Sequence, residues 1–451
     1  MKAVAVCASL LVALSAVPPS ASARVANDVS MLDLIETDLA YTTISDQYYR
    51  LVKPQVLLDG ARAGLIAYLH GRGIARPDVA VMRARADGRF AVPAIEQQMG
   101  RIIVRYGTRV DVRELVYGAI RGELAALHDP YSVFFTKPEL TGFSRALDGE
   151  TFGGIGIVIA GDETGAHWRA DQVFENGPAA KAGLQAGDEI TSVDGTALAG
   201  KTTQAVRALL RGKAGSVARV TIMRGDVALP QPLAITRAAV TPPEVTTRLI
   251  DGTIGYVALR TFGATAGTEV RSAVRRLRSQ GARACIFDLR GNGGGYESAA
   301  VHVASVFVPS GPIVSTQENH GKRHVTLADG TALLPQPLVV LVDRDSASGS
   351  ELVAAAIADN GRGTLLGVRT YGKGLVQTIV PLPDGAALKL TTARYFTAGG
   401  HDIDRVGIAP AVVVEQSAGA VAGVPGSDAQ LDRAIALLTP TVSPSPVSTG
   451  I

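Results

Sequence analysis

Ser348, Lys373 and Gln377 are the residues of this chain whose types and spacing suit nucleophilic chemistry. An alcohol attacks a carbonyl readily only when a neighbouring base takes its proton, and that base works best when a third group fixes its direction. Lysine can serve near neutral pH if apolar surroundings bring its pKa down from about 10.4. Tyr371, Leu375 and Val376 flank Lys373 and are the candidates for that shelter. If the chain is extended beyond the turn Tyr371-Gly372-Lys373-Gly374, then Lys373, Leu375 and Gln377 share one face, with a carboxamide beside the amine. Plainer roles fit the same residues. Ser348-x-x-Glu351 is a capping-box pattern, Lys373 a surface charge, and Gln377 a solvated strand residue.

The elements that must position these groups follow from the pattern around them. Pro337 to Val342 is a continuous apolar run with β-branched residues, as expected of a strand buried on both faces. Asp343 to Gly349 interrupts it. Leu352, Val353, Ala356 and Ile357 then recur at helical spacing over Ser350 to Ala358, until Gly361 and Gly363 stop the helix. A serine at that helix N-terminus sits where unpaired amides and the helix dipole favour negative charge, the charge an attacked carbonyl oxygen develops. Gly363 to Val368 reads as a second buried strand, and Leu375 to Leu382 as a third.

Two runs, Ser346-Ala347-Ser348-Gly349-Ser350-Glu351 and Thr370-Tyr371-Gly372-Lys373-Gly374-Leu375-Val376-Gln377, together resemble the active-site signature of the C-terminal processing (tail-specific) serine peptidases. The resemblance implies Ser348 as nucleophile, Lys373 as its base and Gln377 as the base's orienter. Gly349 stands where alanine is often found, a change expected to leave the serine's geometry intact. Ala284 to Leu289, a buried strand, ends in Arg290-Gly291-Asn292-Gly293-Gly294-Gly295. That loop resembles the family segment that lends backbone amides to the oxyanion hole, with Gly294 and Gly349 the expected donors, although spacing does not decide between the glycines. A phosphate-binding loop is excluded, since no Lys-Ser/Thr follows.

With 451 residues the chain has room for two or three domains, and 47% hydrophobic against 19% charged residues describes a core-forming protein. A net charge of +3 with interspersed signs provides no basic stripe, so nucleic acid is not an expected partner. Met1-Lys2, the apolar run Ala3 to Val17 and the small residues Ala21-Ser22-Ala23 read as a signal peptide over 1–23, which implies a periplasmic or secreted protein. Cleavage there leaves Cys285 alone and excludes an internal disulfide.

Residues 24–145 read as an N-terminal helical region with an internal repeat. Tyr48, Val52, Leu57, Gly60, Ala61, Gly64, Ala67 and Leu69 recur 58 positions later as Tyr106, Val110, Leu115, Gly118, Ala119, Gly122, Ala125 and Leu127. A homodimer formed through this duplicated unit is one expectation. From 146 to 238 the pattern changes to short strands, one helix over Thr202 to Arg211, and glycine turns. Gly153, Gly154, Ile155, Gly156 and Ile157 resemble the carboxylate-binding loop and first strand of a PDZ domain, whose amides nest an anion and whose strand edge pairs with an added peptide. Gly177 to Ile190 and Val193-Asp194-Gly195 match the rest of that signature.

Residues 239–416 form the expected catalytic domain and 417–451 a mobile tail with a short helix near Asp428 to Leu438. Ala398 and Ala411 replace the proline and aspartate usual in the family's closing segment. The expected whole is an α/β multidomain protein whose catalytic domain, by resemblance, has the ClpP/crotonase architecture. Its substrates would be proteins or peptides with apolar C-terminal tails, membrane-associated ones among them. No cofactor or metal is expected: His320 and His324 are four apart, but Gly321 argues against a shared helix face, and neither H-E-x-x-H nor G-x-S-x-G occurs. The rival reading is a PDZ adaptor that binds tails without cutting them.

Overall fold

The computed structural model describes residues 31–442, apart from 86, 149–150, 162–164, 175, 226, 242–243, 320, 334–335, 418–421 and 424. The expected signal peptide, His320 and positions 443–451 of the expected tail lie outside the described residues. Two compact units result: the residues up to Ser144 with 316–324 and 375–395, and the remainder.

The first unit is built on four helices, Met31–Gln47, Pro54–Gly71, Ala91–Tyr106 and Val112–Ala125. Asp111 caps the last of these, accepting from the Glu114 amide at 3.0 Å. Ile44, Leu57, Leu65, Ile95, Ile102 and Leu115 are fully buried where the helices meet. The sequence repeat has a direct structural meaning here, because its two copies pack on one another. A Cβ added to Gly64 would lie 2.0 Å from the Gly118 carbonyl oxygen, and one added to Gly122 would lie 2.1 Å from that of Gly60. Only glycine lets the two backbones approach so closely.

A hairpin of Leu375–Pro381 and Ala387–Thr397 belongs with these helices. A turn at Pro383-Asp384-Gly385 closes it, with the Leu382 amide donating to the Ala386 carbonyl at 2.8 Å. Its second strand pairs on the far side with Val133–Phe135. The hairpin strands fall within the expected 239–416 segment of the sequence and pack with the N-terminal helices. Leu382, Ala386, Leu388 and Leu390 present an apolar face, and the helical core is what buries it.

Two carboxylates in this core make its stability depend on pH. Glu96 is 2% exposed and neither of its carboxylate oxygens has a hydrogen-bond partner among the described residues. Burial, and then the charge of Asp38, push its pKa from 4.5 to about 7. Burial pushes Glu123 up as well. Below about pH 4.5 such a glutamate is neutral in both the folded and unfolded chain. As the pH rises from there to 7, it ionises in the unfolded chain first, so stability falls across that window. Urea unfolding of the Glu96→Gln variant is expected to show a weaker dependence, with the share of Glu96 removed, ending more stable than the parent at pH 8 by on the order of 2 kcal/mol. A parent whose stability rises from pH 5 to 8 would contradict the assignment.

The second unit contains two large sheets and a two-stranded one among the described residues. In the smaller-domain sheet, Ile157–Gly161, Trp168–Val173, Glu189–Val193 and Val217–Arg224 run side by side, with Ile157–Gly161 at the end of the order. Its core holds Ile155, Trp168, Ile190, Val206 and Val220. The helix Thr203–Leu210 lies beside it, its first turn capped by Thr202. Phe152–Gly154 pairs with Ala238–Val240 where this segment joins the next.

The other large sheet runs in the order Val245–Ile250, Ile254–Leu259, Ala284–Asp288, Leu338–Val342, Thr364–Gly367 and Val412–Val413. All its pairings are parallel except the first. Ala284–Asp288 and Leu338–Val342 are buried at every residue, as the unbroken apolar runs anticipated. Cys285 sits within the first of them, and burial pushes its thiol up to about 12, so it serves as a small apolar residue. Phe287 packs against Phe307 of the helix Glu297–Phe307 on one face. On the opposite face Ile286, Val339, Leu341 and Leu366 meet Leu431, Ala434 and Leu438 of the helix Ala429–Val442. The short helix expected near Asp428 to Leu438 spans Ala429–Val442. Its apolar stripe covers the sheet.

Candidate active site

Asp288 and Val342 end neighbouring parallel strands, and the loops that follow them meet. The crevice beyond the carboxyl ends of parallel strands is where α/β folds place reacting groups. One loop is Arg290 to Gly295, the other Asp343 to Gly349. Asp343 ties them together by accepting from the Gly291 amide at 3.0 Å and from the Ser346 amide at 2.9 Å. Arg290 is anchored from behind. Its guanidinium donates to Asp288 at 2.6 Å and to the fully buried Asp428 at 2.7 Å.

The three serines of the Ser346 to Ser350 run separate into two roles. Ser346 donates its hydroxyl to the Leu289 carbonyl at 2.9 Å, and Ser350 donates to the Asn292 carbonyl at 2.7 Å. Both are buried tethers between the loops. Ser348, between them, is half-buried at the N-cap of the helix Gly349–Asp359, with φ 55° and ψ −114°. A non-glycine residue holds such angles only where its surroundings impose them, and such residues cluster at reactive positions.

Glu351 imposes them. It is fully buried, and its Oε2 accepts the Ser348 amide at 2.9 Å. The same oxygen accepts the Lys373 amide at 2.8 Å, while Oε1 accepts the Gly372 amide at 2.7 Å and the Thr370 hydroxyl at 2.6 Å. The backbone nitrogens of Ser348 and Lys373 therefore share one carboxylate oxygen, which brings two segments 25 positions apart in sequence into a single site. Tyr371 adds a further bond, from its amide to the Ser346 carbonyl at 3.1 Å. The sequence pattern identified Glu351 only as half of a capping box. That spacing was the available signal, and it could not disclose the three donors from the lysine turn.

Other expectations need correction. Tyr371, named as shelter for Lys373, is 58% exposed. Lys373 itself is half-buried and lies in the turn before the strand Leu375–Pro381 begins, so the assumed extended run to Gln377 exists only in its second half. Gln377 belongs to the first compact unit and donates its amide to the Leu375 carbonyl at 3.2 Å. Gly294 does lie against the serine: a Cβ there would meet Ser348 Cβ at 2.8 Å and the Gly349 nitrogen at 3.0 Å. Its own amide, however, donates to Asn292 Oδ1 at 2.9 Å, so it is not an open donor as expected. Gly349 begins the helix in a tight spot, where an added Cβ would meet the Phe262 ring at 3.1 Å.

In the smaller domain, Gly154, Ile155, Gly156 and Ile157 line a groove of about 260 Å³ between strand and helix. Gly153 does not line it. A Cβ there would fall 2.0 Å from the Gly212 carbonyl, so this glycine closes the loop against the end of the helix. His324 lies exposed on a strand, His324–Leu327.

Comparison with known proteins places these features. Residues 253–414 match the model of peptidase family S41, 170–224 that of a PDZ domain, and 84–138 that of the N-terminal domain of the activating protease CtpB. The carboxyl-terminal-processing protease of Synechocystis sp. is 34% identical over 75% of this chain and 80% of its own length. The carboxy-terminal processing protease CtpB of Bacillus subtilis is 32% identical over 78% of this chain and 75% of its own. A putative S41 protease from Bacteroides fragilis, 15% identical, shares the fold over 70% of this chain and 88% of its own, with a TM-score of 0.53. With a helical N-terminal region, a PDZ domain and an S41 protease domain in that order, the chain is a peptidase and belongs to the carboxyl-terminal processing protease family.

Proposed function

We propose that the chain is an exported serine endopeptidase that captures apolar C-terminal tails in its PDZ groove and cleaves upstream of them with a Ser348–Lys373 dyad. One observation carries the reading: Ser348 and Lys373 give their backbone N–H groups to the same oxygen of Glu351, while the flanking serines are committed to tethering. Ser348 Oγ attacks the peptide carbonyl carbon and Lys373 Nζ takes its proton. The tetrahedral oxyanion forms at the helix N-terminus against the Gly349 amide. Gly294 joins as a donor if its bond to Asn292 opens. Collapse of the intermediate breaks the C–N bond, Lys373 returns the proton to the leaving amine, and an acyl-enzyme remains on Ser348. Water, deprotonated by Lys373, then hydrolyses the ester. Gln377 is assigned to orient Lys373. The leader over residues 1–23 supports periplasmic or secreted placement, and the duplicated helices support a homodimer less directly, since their glycine faces already meet within one chain.

The test uses an unstructured polypeptide with an apolar tail, supplied as the free acid and as the C-terminal amide, with products weighed by mass spectrometry. Internal cleavage that slows about tenfold on amidation is expected, because a PDZ groove recognises the terminal carboxylate. Absence of any product from the free acid would favour the adaptor reading. Equal cleavage of acid and amide would remove tail capture.

A further inference from the structure

The groove of the PDZ domain is apolar along its floor and basic along one wall. Ile155, Ile157 and Leu210 face it, as do Arg207, Arg211 and Arg260, and its lining contains no carboxylate among the described residues. Two of these arginines are set by the helix Thr203–Leu210. The Arg211 amide donates to the Arg207 carbonyl at 2.9 Å, so the two residues stand one turn apart on the same side. Arg211 lies at the loop end of the groove, its guanidinium 4.0 Å from the centre of the Phe152 ring. Arg260 enters from the segment after the strand Ile254–Leu259. The opposite wall, Ile157–Gly161, is the end strand of its sheet and can accept another strand along its outer edge.

We propose that this groove selects tails with a carboxylate side chain two residues before an apolar C-terminal residue, a specificity that rests on the tail-capture reading above. The spacing is the argument. In a peptide added to Ile157–Gly161 in extended form, residues two apart lie on the same side, about 6–7 Å from one another. Residues one helical turn apart are separated by about 5–6 Å. A terminal carboxylate seated at the loop near Arg211 therefore directs the side chain two residues earlier toward Arg207. Arg260 adds positive potential at the same groove. An aspartate or glutamate at that position is attracted, and a lysine is repelled.

The protein with Ser348→Ala, which holds peptide without cutting it, is titrated into fluorescein-labelled peptides ending Asp-Ala-Val, Asn-Ala-Val and Lys-Ala-Val, and into the amide of the first. Anisotropy is expected to show the Asp peptide binding about fivefold more tightly than Asn and about twentyfold more tightly than Lys, with the spread narrowing at high salt. Adding Arg207→Glu should invert the order, so that the Lys peptide becomes the tightest. Gaining a ligand in this way shows that the domain is folded. Equal affinity for the Asp and Asn peptides, or an unchanged order in the Arg207→Glu protein, overturns the proposal while the amide still binds weakly and tail capture stands. If amide and acid bind alike, or no peptide binds, tail capture fails and this specificity fails with it.

Discussion

Lys373→Arg is expected to lower kcat by about a hundredfold to ten-thousandfold, with tail affinity unchanged. General-base catalysis contributes typically 10²–10⁴ in rate, and a guanidinium cannot release its proton in a protein, so arginine retains the charge of lysine and lacks its function. The backbone of residue 373 would stay in place, because Glu351 holds it through the main-chain amide. Ser348→Ala should cost more, on the order of 10⁴-fold or beyond, since no nucleophile remains. Residues that act as one unit show non-additive effects, so the double variant should be no slower than Ser348→Ala alone. The checks are single-turnover cleavage for kcat and anisotropy with a tail peptide for binding. More than a tenth of wild-type kcat in Lys373→Arg would remove lysine as the base. A double variant slower than either single one by the product of their effects would mean that the two residues act independently.

How much of this was legible in the sequence depends on how far the relevant contacts reach. The strands around Val340 and Ile286 could be read because a strand buried on both faces needs an unbroken apolar run, and that requirement is local. The Ser346 to Ser350 run announced a hydroxyl-rich turn and resemblance singled out Ser348, but the tethering of its neighbours was not legible, since the carbonyls that hold Ser346 and Ser350 come from Leu289 and Asn292. Leu388 and Leu390 alternate as a half-buried strand should, which says that one face is covered without saying by what. Their burial against the N-terminal helices is therefore not disclosed by their own pattern. The tail helix near Asp428 to Leu438 could be read from its own residues, whereas the sheet face it covers could not. The spacing of repeated glycines disclosed a duplication, whereas their function, the crossing of Gly60 and Gly64 against Gly118 and Gly122, is a property of the pair.

Glu351→Gln is expected to reduce kcat by about 10- to 100-fold while leaving tail affinity intact, a split that distinguishes positioning of the dyad from general loss of structure. The carboxylate accepts from four donors, two on each oxygen. Glutamine has one acceptor oxygen, and its NH₂ must face the other pair. If that NH₂ takes the place of Oε2, it opposes the amides of both Ser348 and Lys373, and the bond common to the two dyad residues is lost. In the other orientation it opposes the Gly372 amide, although the Thr370 hydroxyl can turn to accept. Hydrogen bonds to a charged group contribute about 1.5–3 kcal/mol each, and a buried donor left unpaired costs about 1–3 kcal/mol. The second orientation is therefore favoured, with Lys373 displaced through Gly372 by a fraction of an ångström, and misplacement on that scale slows a pre-organised reaction by one or two orders of magnitude. Glu351→Asp retains the charge but withdraws it by one methylene, and should fall between glutamine and the parent. The PDZ groove is formed by other segments, so anisotropy with a tail peptide should not respond to either change. Unchanged kcat in Glu351→Gln would show that the shared oxygen is incidental to catalysis. An equal loss of tail binding would mean that the substitution had damaged the whole unit.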